Sequence, residues 1–252
     1  MASSNARPLL QRHWHIQVGG NMAAQVIDIG VEEGLKAEQD LLASVCAEDA
    51  DYGLLFWRPS DHALVMPRRL SRSGGFTEAS ETLSDIGWPI LLRESGGEPV
   101  PQSPATVNVA LVYVQPKSDL DRDRIEKAYM RLCQPMLDVL TELGGEASLG
   151  EVDGAFCDGR FNVNLSGRKM VGTAQRWRQS QGGQRPVVLA HGAMLLDNER
   201  LEMVNAVNRF NQMCDLEQRC RADSHIALHE LFAAPDFVSR LSDRYARIFA
   251  QL

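Results

Sequence analysis

The sequence has no apolar run long enough to cross a bilayer. Such a crossing takes roughly 20 residues, and the longest apolar stretch, Val187 to Leu196, is interrupted by His191 and Gly192. Cysteine is sparse: Cys46, Cys133, Cys157, Cys214 and Cys220 are odd in number and form no CxxC pair. The opening Met-Ala-Ser-Ser-Asn-Ala-Arg has no apolar signal region. These absences point to a reducing compartment, and the cytoplasm is the expected location, with no membrane partner. Positive charge is also short. Lys and Arg number 26 against 33 Asp and Glu, a formal net charge of −7, so no broad basic face can neutralise phosphates and no nucleic-acid partner is expected. His225 and His229 are i, i+4 on a possible helix, but residue 226 is Ile where a zincin has Glu, and no third ligand is near, so no metal site is predicted. No repeat, linker or low-complexity stretch stands out. At 252 residues one α/β domain buries an adequate core, and 1–252 is read as a single domain.

Periodicity then places the elements. The spacing of Leu35, Leu41, Leu42 and Val45 predicts a helix over 31–48, with Glu32 and Glu33 at its positive end. Strands are expected at 53–57 and 63–66 around the turn Pro59-Ser60-Asp61-His62. Residues 70–76 read as loop, and Thr77 as the cap of a short helix through 86. An apolar strand at 89–92 runs straight into Ser95-Gly96-Gly97, and 107–114 reads as a fully buried strand. The clearest helix spans 118–143, with a cap at Ser118-x-x-Asp121, a kink at Pro135 and a stop at Gly144-Gly145. A long strand at 185–197 and a helical segment over 198–252 complete the chain, with Cys214 and Cys220 read as helix-face packing residues. An edge strand is expected at 14–18, and no chemistry is read from 1–30.

The most informative stretch is 156–176. Phe161, Val163 and Leu165 alternate with Asn162, Asn164 and Ser166, which predicts a strand with one face in a core. Ser166-Gly167 marks a turn, and Lys169 opens a second segment in which Gly172 admits a close approach. Such a hairpin returns the chain past its start, so Cys157 and Lys169 can face one cleft. On the residues alone, Cys157 is also read as an ordinary packed cysteine, and Lys169 as a surface lysine after a turn. Ser95-Gly96-Gly97, following Arg93 directly, can present backbone N–H groups to an anion or lie against a ligand, or be only a turn. His191, on a buried strand, is read either as a satisfied core residue or as part of a site.

Gly167-Arg168-Lys169-x-x-Gly172-x-Ala174-Gln175 resembles the lysine motif of the lipoate/biotin protein ligase superfamily. Arg93-x-Ser95-Gly96-Gly97 resembles its glycine loop, Asn108 an Asn common after that loop, and His191-Gly192 a His-Gly pair found in it. The resemblance covers roughly 30–215. Cys157-x-Gly159 ahead of Gly167-x-Lys169 is similar to the cysteine-dependent octanoyl and lipoyl transferases, whereas AMP-forming ligases usually lack that cysteine. The implied fold is α/β (α+β), a mixed β-sheet flanked by helices, as in a biotin/lipoate protein ligase-like catalytic domain.

The implied activity is transfer of an octanoyl or lipoyl group onto a carrier lysine through an acyl-cysteine thioester, with no cofactor required. The implied carriers are acyl carrier protein as donor, the glycine cleavage H protein, and the lipoyl domains of 2-oxo-acid dehydrogenases. In this reading Cys157 attacks the acyl carbon. Lys169 raises a thiolate fraction that an ordinary thiol pKa of about 8.5 leaves low, and stabilises the oxyanion. Arg93, Ser95, Gly96, Gly97, Asn108, Gly172, Gln175 and His191 are the candidate substrate-binding residues, with Asn108 and Gln175 orienting the glycine loop or satisfying local backbone groups. The alternatives are an AMP-forming lipoate–protein ligase using ATP and Mg²⁺, and a silent relative that binds lipoate or a lipoyl domain. Against the ligase, Glu98 and Gln102 stand where ligases usually have a third Gly and a His. A carboxylate beside a triphosphate costs roughly 1 kcal/mol or more at contact distance.

Overall fold

Strand β6 (Thr106–Val114) is buried along all but its last residue and forms the spine of a seven-stranded sheet. The structure, a computed structural model, describes residues 26–183 and 185–252, so the edge strand expected at 14–18 lies outside the described residues. Strands β2 (Tyr52–Pro59) and β10 (Pro186–Leu195) flank β6, both antiparallel to it. Beyond β2 lies β1 (Val26–Ile29), parallel to it. Beyond β10 lie β9 (Arg168–Gln179), β8 (Val163–Leu165) and β7 (Ala147–Leu149), all antiparallel. Helices α3 (Arg124–Glu142) and α5 (Phe237–Phe249) cover one face through Leu132, Met136 and Tyr245, while α1 (Val31–Cys46) covers the other against Ala110, Val112 and Leu189. With both faces covered, β6 and β10 carry near-continuous apolar runs. A second sheet, β4 (Ile90–Arg93), β3 (Ala63–Pro67) and β5 (Val100–Gln102), shares a core with α2 (Phe76–Asp85) and α4 (Arg200–Met213). The architecture is a mixed sheet flanked by helices.

Several expected elements are placed differently. The strands around Pro59–His62 belong to two separate sheets: β2 pairs with β1 and β6, and β3 with β4 and β5. Helix α3 starts at Arg124, and neither Ser118 nor Asp121 caps it. Asp119 is instead drawn into the protein by Arg131 (2.5 and 3.0 Å) and Lys127 (3.1 Å), which keeps the preceding residues out of the helix. The helix runs through Pro135 and stops where expected, the N–H groups of Gly144 and Gly145 donating to Thr141 O and Leu140 O. Helix α2 starts at Phe76 without a Thr77 cap. Gly75, at φ +76, enters it so close to Met213 O that a Cβ would come within 2.2 Å. Cys214 ends α4, and Cys220 lies on an irregular segment, yet both are packed in the second core. His225 and His229 do not share a helix; two 3-10 turns, Ala222–Ser224 and Leu228–Glu230, flank the stretch between them. Asn162 and Asn164 are buried along with Val163 and Leu165, so 162–165 has no solvent face.

Gly34 of α1 lies flat against the indole of Trp57, where a Cβ would come within 2.4 Å of the ring. Gly34→Ala is therefore expected to lower the thermal unfolding midpoint, on the scale of about 1–3 kcal/mol for overpacking. Gly74→Ala, where a Cβ meets nothing within 4 Å, should leave it unchanged. Melts followed by circular dichroism decide this, and an unshifted Gly34→Ala midpoint would contradict the packing.

Candidate active site

The hairpin between β8 and β9 turns on Ser166 (φ +49) and Gly167 (φ +71), the two left-handed residues of a tight two-residue loop. It delivers Lys169 into the interior, where only 2% of the residue remains accessible. Its Nζ donates to the carbonyl oxygens of Phe156 (2.5 Å) and Cys157 (2.7 Å) and lies 5.2 Å from the centroid of the Phe156 ring. Lys169 thus holds the main chain of the cysteine. The sulfur has another partner: Cys157 Sγ accepts the N–H of Glu98 at 3.3 Å. Cys157 has φ +46, a left-handed conformation uncommon for a residue with a Cβ. The loop after it is clasped by Asp158, whose carboxylate accepts the N–H groups of Val152 (2.9 Å) and Gly159 (3.0 Å) and the Asn162 amide (2.9 Å). Gly172 is explained by Lys169 itself, since a Cβ there would lie 3.3 Å from Nζ.

The glycine loop closes over the same sulfur. Arg93 is buried, and its guanidinium donates to Val65 O (2.7 Å), Gly96 O (2.9 Å) and Glu98 O (2.8 Å), bending 94–98 around itself. Gly97, at φ +102, passes so near that a Cβ would be 2.9 Å from both Arg93 Nη2 and Cys157 Sγ. Burial pushes the Arg93 pKa down from its ordinary value, and the neighbouring Cys157, Glu98 and Glu38 oppose that shift. Ser95 Oγ meets His191 Nε2 at 3.1 Å, and His191 Nδ1 meets Glu38 Oε2 at 2.7 Å; Trp57 Nε1–H donates to Glu38 Oε1 at 3.0 Å. Among the described residues no hydrogen bond joins Asn108 or Gln175 to this loop. Asn108 exchanges hydrogen bonds with Gln102 (2.9 and 3.1 Å), and Gln175 donates to Ile125 O (3.1 Å).

Two spaces meet at Cys157. One is a pocket between the two sheets. The small residues Gly172, Ala174 and Ala193 of the large sheet face Val65 and Val100 of the small one, with Glu38, Trp57 and His191 at its side. The other is a surface groove past Gly96, Gly97, Gly159 and the stacked rings of Tyr129 and Phe161 (4.3 Å between centroids). Cys157 lines both. Burial pushes the Cys133 thiol up to about 12 and that of Cys220 up to about 11. Burial also lowers the Lys169 pKa, with Cys157 and then Asp158 pulling it back.

Three residues of this site carried no motif. Glu38 and Trp57 support His191; the available signal was a carboxylate on the buried stripe of α1, a placement that requires partners. His225 is the third. It is almost wholly buried, stacks on Phe156 (4.1 Å between centroids), accepts the Phe156 N–H at Nε2 (3.2 Å) and donates Nδ1–H to Arg221 O (2.9 Å). Burial, and then the Lys169 charge, lower its pKa to about 4.

The end of the glycine loop is occupied by protein groups. The Glu98 carboxylate sits at its end, paired with Arg69, its N–H is taken by Cys157 Sγ, and Gln102 is buried against Asn108. Among the described residues no three His, Cys, Asp or Glu side chains converge as a metal-binding group, and no helix is long and apolar enough to cross a membrane.

The family model for the lipoyl protein ligase A/B catalytic domain matches residues 31–244. An uncharacterised protein of Cupriavidus necator is 33% identical over 202 residues, covering 75% of this chain and 77% of its own. An octanoyl-[GcvH]:protein N-octanoyltransferase of Kyrpidia tusciae is 35% identical over 179 residues, 68% of this chain but 60% of that protein's length. Two solved structures share the fold. Lipoate-protein ligase A bound with ATP superposes with a TM-score of 0.62 at 14% identity, covering 91% of this chain and 85% of its own. A bi-partite lipoate protein ligase of Thermoplasma acidophilum, described with its E2 lipoyl domain, gives 0.57 at 16% identity, covering 92% and 84%.

His225 makes acid stability testable. Its folded pKa of about 4 lies below the ordinary 6.5, so across that window the unfolded chain binds a proton that the folded chain refuses. The contribution is whole above pH 6.5 and is lost as pH falls through the window toward 4. In urea unfolding between pH 7 and 4, stability of the wild type should fall more steeply than that of His225→Phe; parallel curves would refute the assignment.

Proposed function

The chain belongs to the lipoyl protein ligase A/B catalytic domain family, and on that premise we propose that it moves an octanoyl or lipoyl group onto the lysine of a lipoyl-carrier domain through a thioester on Cys157. The observation that carries this reading is the placement of Cys157: a part-exposed thiol on the boundary of the pocket and the groove, its own carbonyl held by Lys169. The pocket takes the acyl chain. The groove admits the arm that delivers it and the lysine that receives it.

In the first step Sγ attacks the acyl carbon. The S–C bond forms, the bond to the donor breaks, and the donor leaves with the proton the cysteine gave up. The acceptor amine then attacks the thioester, the C–N bond forms, the C–S bond breaks, and the proton released by the amine returns to the sulfur. Lys169 is suited to pass that proton on, because burial lowers its pKa from the ordinary lysine value. The Glu98 N–H, already directed at Sγ, is a backbone donor suited to the oxyanion that forms on the carbon bonded to that sulfur. Arg93 shapes the loop that aims it. No step in this proposal passes through ATP or Mg²⁺, and Glu98 at the end of the glycine loop favours that reading.

The glycine cleavage H protein fits as carrier through the Kyrpidia tusciae relative's name, and a lipoyl domain of a 2-oxo-acid dehydrogenase through the Thermoplasma acidophilum fold relative; acyl carrier protein is a further donor to test. We place the reaction in the cytoplasm, where a free thiol stays reduced, and take 1–252 as one catalytic domain.

Incubation with an octanoylated carrier should give an adduct on the intact protein that hydroxylamine removes and that Cys157→Ser prevents. Lipoyl-AMP formed from ATP and lipoate, with no such adduct, would show a ligase instead. Gly159→Val tests the groove, since a Cβ there meets nothing within 4 Å and the fold should tolerate it. Transfer between carriers should slow about tenfold more than acylation by p-nitrophenyl octanoate; equal slowing of the two would place the carrier elsewhere.

A further inference from the structure

The loop that bears Cys157 is held residue by residue by a segment far along the chain. Arg221 Nη2 and Ser224 Oγ donate to Asp153 O (2.8 and 2.7 Å), and the Arg221 N–H donates to Gly154 O (2.8 Å). Gln218 Nε2 donates to Ala155 O (3.3 Å), and the Phe156 N–H donates to His225 Nε2 (3.2 Å). The next two carbonyls, those of Phe156 and Cys157, belong to Lys169. The loop and the segment touch without slack: at Gly154, φ +78, a Cβ would lie 2.7 Å from Arg221 Cζ and 2.8 Å from Ser224 Oγ. His225 stands where the two sets of contacts join. Its ring stacks on Phe156, its backbone bridges Lys169, and the next residue's N–H donates to Lys169 O (3.0 Å).

We propose that residues 218–225 form a template that holds Cys157 in its left-handed conformation beside Lys169, with His225 as the positioning residue of the thiol. This rests on Cys157 being the acyl-bearing nucleophile. The ring suits the task because it offers one acceptor nitrogen, aimed at a buried N–H, and a flat face for Phe156. An orphaned Phe156 N–H would seek another partner and turn the peptide that sets the direction of Sγ. Nothing in the catalytic cycle requires His225 to touch the acyl group, so its contribution should be read in the reactivity of the sulfur itself.

The test uses the full chain. His225→Phe keeps the stacking volume but removes the acceptor, and His225→Gln restores an acceptor oxygen. Two rates are measured beside thermal unfolding: single-turnover acylation of Cys157 by an octanoyl thioester, and alkylation of Cys157 by iodoacetamide, located by peptide mass spectrometry. His225→Phe should stay cooperatively folded and lose about tenfold or more in both rates, and His225→Gln should recover most of the loss. Wild-type alkylation in His225→Phe would overturn the proposal, as would a His225→Gln that is equally slow at the same unfolding midpoint. Should His225→Phe fail to fold, Gln218→Ala decides, since it releases only Ala155 O: alkylation slowed several-fold supports the template, and an unchanged rate refutes it. Absence of any acyl adduct on the wild type overturns the transferase reading alone, because alkylation still reports on the template.

Discussion

One buried ammonium organises the active-site half of this chain. Removing a lysine head group from water costs several kcal/mol unless its protons find acceptors. The acceptors of Lys169 are the carbonyls of Phe156 and Cys157, with the face of the Phe156 ring beside it. The dependence runs both ways. Lys169 can enter the interior only if the cysteine loop folds over it, and the carbonyl of Cys157, at φ +46, is held by the same head group. Gly172 belongs to the same constraint, since a side chain there would crowd the ammonium.

The pocket follows from register. Across the large sheet Asn108, Ala193 and Gly172 form one row, and Ala110, His191 and Ala174 the next, so these residues share a face. Where that row is small the second sheet can stand off, and the space between is the pocket that Cys157 lines. Where it carries His191, a charge from α1 must be brought in to meet it, and Glu38 is satisfied only by bonding both His191 and Trp57. The glycine loop then closes the end, because Arg93 spends its donors on loop carbonyls and leaves the Glu98 N–H directed at the sulfur. The ion pairs of Glu94 and Glu98 with Arg68 and Arg69 on the outside of this loop are exposed and add little. Buried, uncharged acceptors do most of the positioning.

Much of this was legible beforehand, for reasons local to the chain. Helical reading of the sequence found α1 and α3, because a helix face repeats every three to four residues wherever it packs. The Ser166-Gly167 turn was readable because left-handed backbone selects its residues, and a tight turn dictates what pairs across it. From that turn the approach of Lys169 to the Cys157 loop followed. Boundaries failed where a tertiary contact outweighed a local signal: Asp119 abandoned the start of α3 for Arg131, and Gly75 opened α2 because Met213 lies against it.

The main helices, the hairpin and the approach of Lys169 to the loop that bears Cys157 were therefore determined by the sequence itself, since each depends on residues within a few turns of chain. The folded structure alone decided that the ammonium grips carbonyls while the sulfur takes the Glu98 N–H, that Asn108 serves Gln102, and that Glu38 and His225 belong to the site at all. Glu38 lies 153 residues from His191, and Phe156 lies 69 residues from His225. Periodicity reports which face of an element is buried, but contains nothing about what is buried against it.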